Sequence, residues 1–143
     1  MEIPQISIFL ENRAGGLADV TDVLASNGID IRALALADMA DFGILRLIVD
    51  DPDRTRTLLK AAGFTADKTR VLAVEVTDRP GGLASILRLL RGGKVNVEYM
   101  YSATPTKSGR AVFIFRFDEL DRAIDVLRDA GVAILPSLSL IHI

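Results

Sequence analysis

Asn12-Arg13-Ala14-Gly15-Gly16-Leu17-Ala18 returns later in the chain as Asp78-Arg79-Pro80-Gly81-Gly82-Leu83-Ala84, a shift of 66 positions. The likeness runs past the glycines. Ile29-Asp30-Ile31 answers to Val95-Asn96-Val97 at the same shift. Farther on, Asp50-Asp51-Pro52-Asp53-Arg54, followed by Leu58-Leu59 and Ala62-Gly63, answers to Asp118-Glu119-Leu120-Asp121-Arg122, followed by Val126-Leu127 and Ala130-Gly131. The shift there is 68. Self-similarity at one spacing over most of a chain means one structural unit used twice. The two glycine-rich stretches then hold equivalent places in the fold.

Around the first stretch the apolar periodicity changes from two to about 3.6. Ile6, Ile8 and Leu10 alternate with Ser7 and Phe9, which predicts a strand over Ile3–Leu10. Leu17, Val20, Val23 and Leu24 share a helical face, and Asn27-Gly28 stops that helix, with Gly28 suited to a left-handed position. Strands follow over Ile29–Ala37 and Ile44–Val49, joined by a hairpin. Asp51 is placed to cap a second helix with Pro52 at its first position. Leu58, Leu59 and Ala62 form its inner stripe. Only Phe64–Lys68 is left for a fourth strand, so that strand is short or the link tight.

The second unit repeats the order. Strands are expected over Arg70–Val76, Val95–Ser102, Ala111–Phe117 and Val132–Leu135, with the tail Ser137–Ile143 as one more. One helix carries Leu83, Ile86, Leu87 and Leu90 inward and ends at Gly92-Gly93. Another, capped by Asp118, carries Ala123, Val126, Leu127 and Ala130 inward. Two β-α-β-β-α-β units predict an α+β fold: ferredoxin-like units with antiparallel sheets side by side and the helices on one face. The expected domains are 1–68 and 69–143.

Composition narrows the function classes. Half of the 143 residues are hydrophobic, which supports a core and argues against disorder. Net charge is −2, with acids and bases interspersed, so nucleic acid is not an expected partner. With no cysteine and a single histidine, His142, neither a metal centre, nor a catalytic triad, nor a cofactor is expected. There is no basic start with a long apolar run and no apolar stretch of about 20 residues, so a soluble cytoplasmic protein off the membrane is the expectation. Gly93-Lys94 is no phosphate loop, because Arg88 and Val95 stand where a glycine and a hydroxyl residue are needed. The Lys107–Phe115 stretch resembles the aromatic third-strand motif of RNA-recognition modules, but the matching Phe42–Leu47 stretch in the first unit has no aromatics on the strand proper.

The loop motif Asp-x-Pro-Gly-x-Leu inside this element order resembles the ACT domain family. Asp78-Arg79-Pro80-Gly81-Gly82-Leu83 fits it in full, whereas the first copy has Asn12 for Asp and Ala14 for Pro. The chain as a whole resembles the small stand-alone tandem ACT proteins of bacteria, which carry no catalytic domain. The resemblance implies a non-enzymatic regulator that binds an amino acid or a related small carboxylate where two ACT domains meet, and that controls an enzyme or transporter. Carried onto this sequence, the loops are Asn12, Arg13, Ala14, Gly15, Gly16, Leu17 and Asp78, Arg79, Pro80, Gly81, Gly82, Leu83. The second strands contribute Asp30 and Ile31, and Asn96 and Val97.

The residues themselves support a carboxylate guest. Each loop opens a helix whose first N–H groups lack intrahelical partners and carry partial positive charge. The glycine pairs leave backbone open to approach. Asp30 suits an α-ammonium group, and Asn96 offers both a donor and an acceptor, so the first site is the more negative. The competing reading is that the glycines serve only the turn, and that the chain is a structural or oligomerisation module with vestigial sites. Tyr99 and Tyr101 share a strand face and are expected to be packing or interface residues, and unpaired sheet edges favour a homodimer.

Overall fold

The computed structural model describes residues 2–103 and 110–138, with backbone alone at 38 and 39. Residues 104–109, and 139–143 of the expected tail strand, lie outside the described residues. The elements run β1 (Ile3–Glu11), α1 (Gly16–Ser26), β2 (Ile31–Met39), β3 (Phe42–Val49), α2 (Pro52–Ala61) and β4 (Thr65–Val76). They continue α3 (Gly82–Gly92), β5 (Val97–Ala103), β6 (Ala111–Phe117), α4 (Leu120–Asp129) and β7 (Ile134–Leu135). This is an α+β fold of two ferredoxin-like units with antiparallel strands. The chain divides into two compact units, one of Pro4–Thr69 and one that runs from Arg70 and also takes in Glu2 and Ile3.

In the first unit the strand order is β2-β3-β1-β4. β1 and β3 pair with Ile8 opposite Leu45 and Phe9 opposite Ile44. Ile6, Ile8, Leu10, Leu45, Leu47 and Val49 therefore point to one face, where Val20, Leu24 and Leu59 from the helices complete a buried core. Phe9 and Phe42 point the other way and are about half exposed, at 49% and 53%. In the second unit the order is β5-β6-β4-β7. Leu72, Val74, Phe115 and Phe117 face Ile86, Leu90, Ala123 and Leu127. The Phe115 and Phe117 rings stack with centroids 5.4 Å apart and planes at 6°.

β4 overturns one expectation. The short fourth strand, the tight link and the strand expected from Arg70 are one continuous strand of 12 residues. Its first half closes the first sheet, and its second half opens the second. A strand is held by ladder hydrogen bonds to its neighbours, so the polar run Asp67-Lys68-Thr69-Arg70 needs no apolar alternation of its own.

Helix ends follow local chemistry. The Asp51 carboxylate accepts the Arg54 N–H at 3.2 Å and Pro52 opens α2, as expected. Asp118 differs. The residue capping α4 is Glu119, without a side-chain bond, and the Asp118 carboxylate instead accepts the N–H groups of Asn96 (3.0 Å) and Glu119 (2.8 Å). Asp50 repeats that bridge by accepting the Asp30 N–H at 3.0 Å. Each of these aspartates thus fastens the start of a second strand. Gly93 ends α3 for a packing reason: a Cβ there would lie 2.5 Å from Cγ2 of Val126 on α4.

Several side-chain expectations shift by a residue or two. Ala62 and Ala130, expected inward, are exposed, whereas Thr55 and Leu120 are buried. Leu17 and Leu87, at the margins of their helical stripes, are 37% and 36% exposed. β7 holds two residues rather than the four expected.

Candidate functional site

The two glycine loops fold alike, bond for bond. The Arg13 N–H donates to the Glu11 carbonyl and the Gly16 N–H to the Arg13 carbonyl, at 2.9 and 3.3 Å. The Arg79 N–H donates to the Thr77 carbonyl and the Gly82 N–H to the Arg79 carbonyl, both at 3.0 Å. Asp19 N–H to Gly15 carbonyl, and Ser85 N–H to Gly81 carbonyl, open the two helices. Both helix starts lack a side-chain cap. Their early amides are therefore open to solvent or a guest.

Each glycine has a cause within the turn. Gly15 and Gly81 have φ of +84° and +87°, the left-handed region that glycine enters at little cost. Gly16 and Gly82 lie hard against backbone. A Cβ on Gly16 would come within 3.2 Å of the Glu11 carbonyl oxygen, and one on Gly82 would collide with the Thr77 carbonyl oxygen. The first glycine permits the bend, and the second permits the close approach of strand end and helix start.

Around each loop lies a cavity, and the two are equivalent by position. The first, about 630 Å³, is bordered by Arg13, Gly16 and the Ala62–Thr65 turn. The second, about 740 Å³, is bordered by Arg79, Pro80, Gly81, Gly82 and the Gly131–Ala133 turn. Their walls differ in chemistry. Phe9, Phe42 and Phe64 stand in the first with Glu11, Asp19 and Asp22. Glu75, Ser85, Arg88 and Arg110 stand in the second. Arg13 is engaged by Asp19 at 2.9 Å, with Glu11 3.7 Å away and the Ala14 carbonyl at 3.3 Å. Glu75 lies 3.6 Å from Arg110.

The other expected residues are placed as follows. Asn12 ties its loop to the hairpin, donating its backbone N–H to Asp41 (2.8 Å) and its side-chain amide to Ala40 (3.1 Å). Asn12, Arg13 and Leu17 line a smaller cleft of about 90 Å³ with Leu36. Asp78 is exposed, Leu83 packs partly against the second core, and Ile31 and Val97 pack partly against the first and second cores. Asp30 and Asn96 lie past the C-terminal ends of α1 and α3. A helix of 11 residues, about 16 Å long, separates each from the loop of its own unit. Asp30 pairs with Arg32 at 2.6 Å, and Asn96 borders a shallow cleft with Leu87, Arg91 and Lys94. Within a unit, then, the loop and the second-strand start do not meet.

Reasoning from the sequence did not single out Glu11, Asp19, Asp22, Ser85, Arg88 or Arg110. The signal was present in the repeat itself: comparing positions 66 apart sets Glu11, Asp19 and Asp22 against Thr77, Ser85 and Arg88. In the Lys107–Phe115 stretch, Phe115 is fully buried and Phe113 packs partly against the second core, while residues 107–109 lie outside the described residues. Among the described residues, no group of acidic, histidine or cysteine side chains is arranged to hold a metal. No helix among the described residues is long and apolar enough to cross a membrane.

A family model described as an ACT domain pair matches residues 1–141. The chain belongs to this family. Among solved structures, this ACT pair is similar to protein BT0572 from Bacteroides thetaiotaomicron, with 41% identity and a TM-score of 0.89 over 94% of this chain and 92% of that one. It shares its fold with the ligand-free regulatory subunit of aspartate kinase from Thermus thermophilus: 17% identity, TM-score 0.63, 89% of this chain and 91% of that one. The regulatory subunit of aspartate kinase from Thermus flavus gives 14% identity and TM-score 0.63 over 92% and 94%. No curated protein matches in sequence.

Proposed function

We propose that this ACT pair, with domains at 1–68 and 69–143, is a non-enzymatic regulatory protein that binds an amino acid or a related small carboxylate and passes its occupancy to a partner enzyme or transporter. The observation that carries this reading is the same cavity built twice, each time at an uncapped helix start behind a glycine pair. Open amides at a helix start favour a carboxylate. For Asp30 or Asn96 to reach the same ligand, the loop must come from another ACT domain, because α1 or α3 separates them within their own.

A thermal-shift screen of the full chain against the amino acids and common metabolic carboxylates tests this. A ligand at a hundred times its dissociation constant adds about 2.7 kcal/mol and raises the melting temperature by several degrees. No shift at millimolar concentration supports the second reading, a structural module with vestigial sites. One observation favours that alternative: φ at Gly15 and Gly81 and the close approach at Gly16 and Gly82 explain every loop glycine without a guest.

The same reading includes a homodimer. Among the described residues β2 and β5 each pair with a single strand, and Phe9, Leu36 and Phe42 are about half exposed. Light scattering at micromolar concentration should return twice the 15.5 kDa chain mass. A monomer mass that ligand leaves unchanged removes the dimer from the proposal.

A further inference from the structure

We propose that the cavity of the second unit is an anion site for a small molecule carrying two negative charges, a dicarboxylate or a phosphate group, and that its counterpart in the first unit excludes such molecules. The inference rests on reading the loop cavities as ligand sites, and it names the ligand class of one of them. The repeat supplies an internal comparison, since one backbone cradle carries two sets of side chains. Glu11, Asp19 and Asp22 of the first cradle become Thr77, Ser85 and Arg88 in the second. The first cavity has one arginine against three acids, a net of −2, and the second has three arginines against one glutamate, a net of +2.

The arginine common to both loops changes state with its neighbours. Arg13 is held by Asp19 at 2.9 Å. Arg79, where Ser85 replaces that aspartate, has no ion pair or side-chain hydrogen bond among the described residues. Arg88 gives one Nη2 hydrogen bond to the Ser85 hydroxyl at 3.2 Å, which leaves most of its five donors for a guest. Glu75, the one acid in the wall, sits 3.6 Å from Arg110. Guanidinium forks match the paired oxygens of a carboxylate or phosphate. Two forks with most of their donors open in one cavity suit two negative charges better than a zwitterion, whose charges cancel.

Isothermal titration calorimetry of the full chain at low ionic strength tests this with succinate, inorganic phosphate and glycine as separate titrants. The expected result is saturable binding of succinate, phosphate or both, at one equivalent per chain. If both bind, each should displace the other, and if one binds, it identifies the source of the charge. Arg88→Asp restores the acid found in the first cavity and should weaken binding about tenfold or more, and Arg79→Gln should weaken it as well. Arg122→Asp is the control. Arg122 is exposed on α4 with Glu119 at 3.7 Å, so the variant makes the same change in net charge away from the cavity and should leave affinity unchanged. The proposal is overturned if neither dianion binds saturably at millimolar concentration, or if Arg122→Asp weakens binding as much as Arg88→Asp. Glycine binding without dianion binding also overturns it while leaving the amino-acid reading intact. Dianion binding without any amino-acid binding supports it and removes amino acids from the proposed function.

Discussion

Gly82→Ala should destabilise this protein more than the same change at any other loop glycine. The new methyl group would strike the Thr77 carbonyl oxygen and come within 3.2 Å of Cγ1 of Val76. Backbone oxygen cannot swing aside as a long side chain does, so strand end and helix start must separate. Overpacking of this kind costs about 1–3 kcal/mol, and this contact belongs at the upper end. Gly16→Ala, 3.2 Å from the Glu11 carbonyl oxygen, should cost less. Gly81→Ala meets open space, and its cost is conformational: φ of +87° penalises an L-residue by about 1–2 kcal/mol. Urea unfolding of the three variants gives the order. Equal midpoints for Gly82→Ala and Gly16→Ala would show that the loops are less alike in packing than their hydrogen bonds imply.

Phe115→Ala should lower stability by about 3–5 kcal/mol. Phe115 is fully buried and is flanked by Phe113 and Phe117, at centroid distances of 6.4 and 5.4 Å. Removing the middle ring leaves a cavity between two side chains fixed on the same strand. Phe42→Ala, on a ring 53% exposed, should stay within about 0.5 kcal/mol. Guanidinium unfolding midpoints with unchanged slopes would measure both. A loss below about 1 kcal/mol at Phe115 would contradict the described core.

Much of the fold was legible because the chain states it twice. The glycine loops, the apolar stripes and the Asp51-Pro52 helix start each carry a local signal, and the repeat checks one copy against the other. What escaped was set by partners rather than by local pattern. The polar start of β4 becomes strand because neighbours supply its hydrogen bonds. Asp118 looked like a cap, but it reaches back to Asn96, 22 positions earlier in the chain. Thr55 is buried although nothing in its own composition requires it.

The site divides in the same way. The loops were legible from Gly15-Gly16 and Gly81-Gly82, whose φ angles and close approaches have clear sequence signatures. The cavity walls were not, because Asp19, Asp22, Ser85 and Arg88 read as ordinary solvent-facing helix positions. Their importance appears only when the two cradles are compared side chain by side chain. The charge difference expected at Asp30 and Asn96 is larger at these wall residues, at the other end of the helix.

The most direct measurement is an amide-resolved NMR titration of the isotopically labelled full chain with amino acids and small carboxylates at millimolar concentration. If the glycine loops are ligand sites, the amides of Arg13–Ala18 or Arg79–Ser85 should move saturably along one binding curve, while those of the β3 and β6 centres stay in place. Loop amides that do not move with any titrant, or that move only in proportion to ionic strength, would contradict the ligand-binding reading and leave the structural module in its place.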